Sequence, residues 1–578
     1  MTNHATNAVP DVAKTRRLAG RPIHYAILLG VSGLLFFTNL GGATLWDLDE
    51  GRNATAALEM MTSQNYIVPT YNGELRDHKP VLQYWLQTLS FHWFGVNEFG
   101  ARMPSALAAM LSVLLCYELA RGMFGKTTGL LAGLIVAATP MLIAAARFTN
   151  PDAMLNAAFL FTMWAFWKGQ ERQTPFWYGL VGAGFGLGLL AKGPVGLALP
   201  SLIIFSFLLW ERRLGALWHR YAFWTWLAAF AVAAPWYIWV IAETKGRFIT
   251  GFVLVHNVDR FIRPMENHGG NPLYYLIVMF IGMAPWSLFV VLALWLGMWS
   301  AVRRPWPRFQ RVWEWARDDR ARGDDAAYRL LILWAILYLT CFSIAATKLP
   351  LYVLPAIAPC AILIARFLER WRLGLFEMPR WYMPQAVIFL ALGGLSAFAA
   401  LAIIAGKVYD FAFLRGRSFP ELFPFAWLAL MLPMTAIIVW RFYRLGRRTV
   451  LVGAATVLFT TFLLPLAVWA SAALNAYKPP AAVAEILRHL RPEMEYQLVG
   501  FEVKHLPSLN FYLRRDITHI HSFEQLQEHL AYPMPVYVLI LDNYWNEFHK
   551  SHPTKGRELG RCPDLYRNRA IVVVTNQN

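Results

Sequence analysis

Residues 382–405 read YMPQAVIFLALGGLSAFAALAIIA, a run without one charged side chain. A helix needs roughly 17–25 mostly apolar residues to cross the hydrocarbon of a bilayer, and this run meets that length. Working outward from it, comparable runs occur at 23–43, 101–120, 127–146, 153–168, 176–191, 194–210, 221–242, 273–299, 329–346, 350–367, 422–440 and 449–472. Together they predict an all-α polytopic membrane domain of about thirteen transmembrane helices. The first run follows Lys14, Arg16, Arg17 and Arg21 but exceeds a signal-peptide apolar core of about 7–15 residues, so it reads as a retained helix.

Composition points the same way. Of 578 residues, 57% are hydrophobic and 15% charged, against about 45–50% and about 25% in soluble proteins. The 25 Trp and 39 Phe suit two aromatic interface belts. A net charge of +18 raises the question of nucleic acid, but the basic residues sit in short clusters between apolar runs and read as topology signals. With the N-terminus cytoplasmic, the inner segments hold about twice as many Lys and Arg as the outer loops between spans. Arg212-Arg213, Arg303-Arg304 and Arg447-Arg448 are such anchors, and the C-terminus then lies outside. Cys116, Cys341, Cys360 and Cys562 show no metal or disulfide spacing and read as small buried apolar groups.

Three outer segments are too long to be turns: 44–100, 243–272 and everything past about 473. In the first, 52–61 and 80–94 have helical character, Pro80 suiting a first turn. Trp85, Phe91, Trp93 and Phe94 give the second the look of an amphipathic interfacial helix. After 475 the charge content rises, with strand-like runs at Tyr496–Val503, Val536–Leu541 and Ala570–Thr575 and helix-like spacing at 481–490 and 522–531. The predicted division is a membrane domain over 1–475, with a catalytic outer loop at 44–100, and a small soluble α/β domain over 476–578.

Charges near a membrane are costly and default to functional candidates. In this topology Asp49, Glu50, Lys79, Arg147, Asp152, Lys192, His256, Arg260, Arg263, His268 and Lys348 fall at outer ends of spans, at one depth. A cavity lined by carboxylates and cations suits a reaction in which a phosphate leaves a sugar. Lys79, Arg260 and Arg263 are candidates to hold the phosphate. A carboxylate stabilises an oxocarbenium-like centre or accepts an acceptor proton, with Asp49 first and Asp152 second. Each residue also has a plainer reading. Asp49-Glu50 and Asp152 suit helix N-termini, Lys192 and Lys348 suit snorkelling, and His256 with His268 is a weak metal signal without an HExxH-type ligand set.

Several stretches resemble a known family: LWDLDEGRNATAALEMM (45–61), YIVPTYNGELRDHKPVLQYW (66–85), FGARMPSALAA (99–109), NPDAML (150–155), AKGPVGLALP (191–200), HNVDRF with a following His268 and PLYY (256–275), and AATKLPLYVLP (345–355). The chain resembles the C-type membrane glycosyltransferases that use polyprenyl-phosphate sugars, the group containing protein O-mannosyltransferases. Within it, the chain resembles the bacterial 4-amino-4-deoxy-L-arabinose transferases that modify lipid A. The likeness implies catalytic roles for Asp49 and its neighbour Glu50, phosphate binding by Lys79, and substrate binding by Arg52, His256, Lys348 and Tyr352, with Arg260 and Phe261 filling the same loop motif as His256. Asn53 departs from the pattern, since many relatives carry an aromatic residue there.

The expected function is inverting transfer of 4-amino-4-deoxy-L-arabinose from undecaprenyl phosphate to a lipid A phosphate at the periplasmic face of a bacterial inner membrane. Transfer to a protein or glycan hydroxyl is the alternative, with Asp49 as base. A transporter or flippase is the rival from another class, and it calls for internal repeats that do not stand out. No required cofactor is expected, and a divalent metal at His256 and His268 stays open. The expected partners are the lipid-linked donor, lipid A or another acceptor, and membrane lipids, with no nucleic acid and the chain monomeric.

Overall fold

The computed structural model describes residues 21–47, 49–218, 221–265, 269–302, 324–406, 418–489, 495–552, 556–567 and 569–577. The basic residues before 21, the Arg303-Arg304 cluster and His268 lie outside them.

Each of the thirteen apolar runs falls on a helix or on a bent pair of helices. Among the described residues, seven helices are long and apolar enough to cross a membrane, up to nine if each bent pair is one span, and Arg21–Phe37 and Val195–Trp210 are shorter apolar helices. The chain is thus a multi-pass membrane protein. The expected single spans at 127–146 and 273–299 are both broken: Lys126–Ala137 meets Pro140–Ala146 at 64°, and Tyr274–Gly282 meets Trp286–Ala301 at 117°. Pro140 and Pro285 stand at the breaks, where a proline lacks the N–H that would continue the helix.

Helix Pro350–Arg372 is the most enclosed of the spans and Tyr382–Ala405 among the most exposed. Small residues set how closely the helices approach. A Cβ at Gly182 would lie 1.9 Å from the Thr225 carbonyl oxygen, and one at Gly188 would lie 2.6 Å from that of Gly196. Helix Pro175–Lys192 therefore packs backbone to backbone on Ala222–Glu243 and Val195–Trp210.

The 44–100 segment forms helix Asp49–Ser63, a short hairpin (Thr70–Tyr71 with Glu74–Leu75) and helix Leu82–Phe94. Asn72 and Gly73, both at positive φ, make the tight turn that Asn-Gly favours. The Glu59 carboxylate holds this hairpin, accepting from Thr70 Oγ1 at 2.7 Å and Asn72 N at 2.6 Å. Helix Leu82–Phe94 keeps Leu89, Trp93 and Phe94 exposed, as an interfacial helix requires.

A five-stranded sheet follows in the C-terminal part, in the order Thr518–Ile520, Gln497–Phe501, Val536–Leu541, Arg569–Thr575, Arg557–Asp564. The first three strands are parallel and the last two antiparallel to their neighbours. Gln497–Phe501 and Val536–Leu541 are almost wholly buried, as strands covered on both faces must be. Helix Ser508–Leu513 carries this part onto the loop. Its Ser508 packs against Gly51, where a Cβ would sit 2.4 Å from the Ser508 nitrogen, and its Phe511 packs on Phe91 of the interfacial helix.

Candidate active site

Four segments far apart in sequence enclose one cavity, lined among others by His78, Lys79, Lys192, His256, Arg260 and Tyr352. Local chemistry explains why they meet. The 345–355 segment pairs with the 260–263 loop: Ala346 N donates to the Phe261 carbonyl (2.8 Å), Thr347 N to that of Arg260 (3.3 Å), and Thr347 Oγ1 to that of Arg263 (3.1 Å). His256 and Asn257 lie on a π-helical stretch, Thr250–Asp259, a geometry concentrated at functional sites. Gly251 lets that stretch approach Asp77, since a Cβ there would fall 1.7 Å from Asp77 Oδ2. Gly193, at φ 76°, leaves room for the Phe252 ring.

Asp49 opens helix Asp49–Ser63. Burial pushes its carboxyl up, but the field of Lys79, Arg76, Arg260 and Arg52 outweighs burial and holds it below its ordinary value. The Lys79 ammonium is pushed down by burial, with Lys192 and Arg260 acting the same way and Asp49 and Asp152 opposing. Burial also drives His78 down to about 3, helped by His256 and Arg76, so its imidazole is neutral. Lys192 pairs with Asp152 and stands 4.2 Å from the centre of the Tyr352 ring, within cation–π range.

Not every expected residue joins them. Glu50 is buried, and its carboxylate is held by Arg102, which donates to Oε1 at 2.9 Å and Oε2 at 2.7 Å. Trp46 N and Thr149 N donate to the same carboxylate at 2.8 Å each. That group ties the loop to helix Glu98–Phe124 and has no free oxygen for chemistry. Lys348 likewise points its ammonium at the carbonyls of Phe342, Ser343 and Ala345, at 2.9, 2.7 and 2.6 Å. It caps helix Asp325–Ile344, whose last carbonyls have no helical partners. Arg263 is exposed and does not line the cavity. Asp49, Asp152 and Arg52 stay outside the lining too, although Asp49 feels the charges of Lys79 and Arg260, Asp152 pairs with Lys192, and the charge of Arg52 is felt at Asp49 and His78.

Of the expected His256 and His268 pair, His268 lies outside the described residues. His256 instead meets Asp77 and His78. Asp77 Oδ1 is 3.2 Å from His78 Nδ1 and 3.4 Å from His256 Nε2, and the two rings stack at 3.9 Å. These three offer ligand atoms all within 4.8 Å of one another, a donor set suited to a divalent cation.

Sequence reasoning did not place Arg76 in the site, although it lies in the quoted LRDHK stretch. Arg76 is buried and donates to Asn53 Oδ1 (2.8 Å) and Tyr84 OH (2.9 Å). Asn53 Nδ2 in turn donates to the Thr149 carbonyl at 3.0 Å. The unusual Asn53 is thus a fully bonded link between loop helix, Arg76 and the 149–152 turn. Lys192 was noted only as an outer-face charge.

Residues 78–239 match the family described as dolichyl-phosphate-mannose-protein mannosyltransferase, so the chain resembles membrane transferases of lipid-linked sugars. More particularly, it is 30% identical over 343 residues to an undecaprenyl phosphate-alpha-4-amino-4-deoxy-L-arabinose arabinosyl transferase of Edwardsiella ictaluri, with 58% of each chain covered. It is 28% identical to the protein of that name from Erwinia tasmaniensis, over 66% of this chain and 65% of that one. The aligned part thus spans less than two thirds of these relatives. In fold, the chain is similar to ArnT from Cupriavidus metallidurans bound to undecaprenyl phosphate, with a TM-score of 0.77 and 21% identity over 97% of this chain and 98% of that one.

Proposed function

We propose that this protein is a glycosyltransferase that moves 4-amino-4-deoxy-L-arabinose from undecaprenyl phosphate to a phosphate of lipid A, with inversion, at the periplasmic face of a bacterial inner membrane. One observation carries the reading. The cavity with Lys79, Lys192 and Arg260 shares its Phe252 wall with a cavity of about 520 Å³ lined by side chains such as Leu189, Trp226, Phe230 and Tyr237. Cations beside an apolar slot fit a phosphate carried on a polyprenyl chain. The names borne by the relatives supply the sugar and the carrier.

In this reading thirteen spans cross the membrane, with the N-terminus cytoplasmic, the C-terminus periplasmic and the soluble domain beginning near 476. Lys79, Arg260 and Lys192 hold the donor phosphate, and Asp152 fixes Lys192. As the bond between sugar C1 and the phosphate oxygen breaks, these cations take up the charge growing on the leaving undecaprenyl phosphate. A lipid A phosphate oxygen attacks C1 from the opposite side. Already anionic, it needs no base, so ionised Asp49 orients the sugar through its 4-ammonium group and stabilises positive charge at C1. Tyr352 and His256 border the sugar, and Arg52 tunes the field at Asp49. Glu50 and Lys348 act as scaffold. Asp77, His78 and His256 provide a place for a divalent cation beside the donor phosphate, without the chemistry depending on one.

The test is transfer of label from undecaprenyl-phosphate aminoarabinose by the protein in lipid, with lipid A and a Ser/Thr peptide offered side by side. Label on lipid A, lost in Asp49→Asn, is the expected result. Label on the peptide would make Asp49 a general base and replace the acceptor. An Asp49→Asn variant with full activity would refute its role, and absence of donor binding would favour a transporter.

A further inference from the structure

The C-terminal part carries a second cationic cavity that the proposed chemistry does not use. Its volume is about 360 Å³, and its lining includes Arg488, Arg514, Arg515, Tyr496, Tyr512 and Leu487. Among the described residues, none of those lining it is acidic. Arg515 lies over the Tyr496 ring at 4.3 Å, which orients its guanidinium plane. Arg488 reaches the Tyr512 carbonyl at 3.4 Å. It also pairs with Glu485 at 3.9 Å, both side chains being more than 60% exposed, a contact of little strength in water. Arg514 adopts φ 52° just after helix Ser508–Leu513, a left-handed conformation that disfavours a side chain as large as arginine. Three arginines from two helix ends therefore line one concavity, and among the described residues its acidic contact is the exposed Glu485 pair.

The location matters as much as the charge. Helix Ser508–Leu513 is the element that packs on the Asp49 loop. Tyr512, in the cavity wall, donates to Glu98 Oε1 at 2.8 Å and accepts from Leu45 N at 2.8 Å. Glu98 begins the helix that, with interfacial helix Leu82–Phe94, forms an apolar groove of about 170 Å³ lined by Leu89, Trp93, Met103 and Leu107. In that groove Trp93 is 76% and Leu89 58% exposed. Arginine cavity, reaction loop and apolar groove are thus joined through one short helix.

We propose that the arginine cavity holds a phosphate of the acceptor glycolipid, one other than the phosphate that receives the sugar, while an acyl chain lies in the apolar groove. This rests on the transferase reading given above. A compact dianion on a sugar suits three converging guanidinium groups, which bind phosphate bidentately. An apolar groove against the interfacial helix suits a lipid-borne ligand over a free one. Held at two points, the acceptor meets the cavity of Lys79, Lys192 and Arg260 with its reacting phosphate oriented.

The experiment uses the full chain in phosphatidylcholine nanodiscs, with bisphosphorylated lipid A, lipid A lacking one phosphate, and inorganic phosphate as probes. Wild type is compared with Arg514→Ala/Arg515→Ala and with Arg515→Lys. We expect the double variant to weaken lipid A binding and raise the acceptor KM by about 10- to 100-fold, leaving kcat and the donor KM unchanged. Arg515→Lys should restore part of the affinity. The monophosphorylated lipid should bind wild type as weakly as the full lipid binds the double variant, with no further loss when both changes are combined. Unchanged binding in the double variant would overturn the proposal, as would equal losses for the two lipids or displacement of lipid A by submillimolar inorganic phosphate. Binding is read separately from transfer. Arginine-dependent lipid A binding without sugar transfer would uphold the cavity and sink the transferase reading.

Discussion

Asp47 lies two residues before the proposed catalytic carboxylate and joins the loop to the C-terminal part. Its Oδ1 accepts from Ser508 N at 2.9 Å and Ser508 Oγ at 2.6 Å, and its own N–H donates to Tyr566 OH at 2.9 Å. Oδ2 is buried with no hydrogen-bond partner among the described residues. Burial raises the carboxyl from the usual 3.8 to about 7, with Asp564 adding to the rise, and Ser508 and Lys478 opposing it. A raised carboxyl binds a proton on docking, so docking is strongest below about pH 4, weakens as pH climbs from there to about 7, and levels off above it. For an undocked value near 3.8, the change between pH 5 and pH 8 is about 2.6 kcal/mol, or roughly 90-fold in the docking equilibrium. Nearby, Lys478 is pushed down to about 8 by burial and so titrates at the upper edge of this window, while His505 pairs with Asp564 at 2.8 Å. Asp47→Asn isolates the carboxyl, because an amide oxygen can still accept from Ser508. Hydrogen exchange of 45–51 and 508–513 in nanodiscs should show protection falling toward pH 8 in wild type and a much flatter profile in Asp47→Asn. The same slope in both proteins would refute the reasoning.

Four further outcomes follow from the geometry. Arg102→Met leaves Glu50 buried without its cation and should cost about 3–5 kcal/mol, seen as a large drop in melting temperature before any kinetic effect. Lys348→Met should lower stability by about 1–3 kcal/mol through three orphaned carbonyls and leave donor KM unchanged; a raised donor KM would return Lys348 to the substrate site. Because burial lowers the Lys79 ammonium, a bound phosphate should raise it again, and calorimetry in buffers of differing ionisation heat should detect proton uptake with undecaprenyl phosphate at alkaline pH. Zinc or manganese should raise the melting temperature of wild type more than that of His256→Ala if Asp77, His78 and His256 bind it together.

Much of this architecture is legible in the sequence because its signals are local. Apolar length marks the helices, and β-branched runs mark 536–541 and 570–575. The breaks near Pro140 and Pro285 were missed because the apolar pattern continues through each bend. The 70–75 hairpin was missed although Asn72-Gly73 announces it, since its strands are two residues each and held mainly by Glu59. Helix Ser508–Leu513 is too short for a periodic signal, yet it joins the two parts of the molecule.

The site divides along a sharper line. Charge at the outer ends of spans was readable, but the direction of each charge was not. Lys79 and Lys348 look alike in sequence; one borders the cavity and the other closes a helix end. Asp49 and Glu50 make the point most directly. Adjacent residues on a helix diverge by about 100°, so two neighbouring carboxylates at one helix start cannot both face the same partner. Glu50 turns to Arg102 and the amides of Trp46 and Thr149, and that anchored bond fixes the rotation of the helix. Asp49 is thereby left to face the field of Lys79, Arg76 and Arg260. The pair therefore acts as one device, with Glu50 setting the aim of Asp49, and loss of Glu50 should damage catalysis even though its own oxygens never reach the sugar.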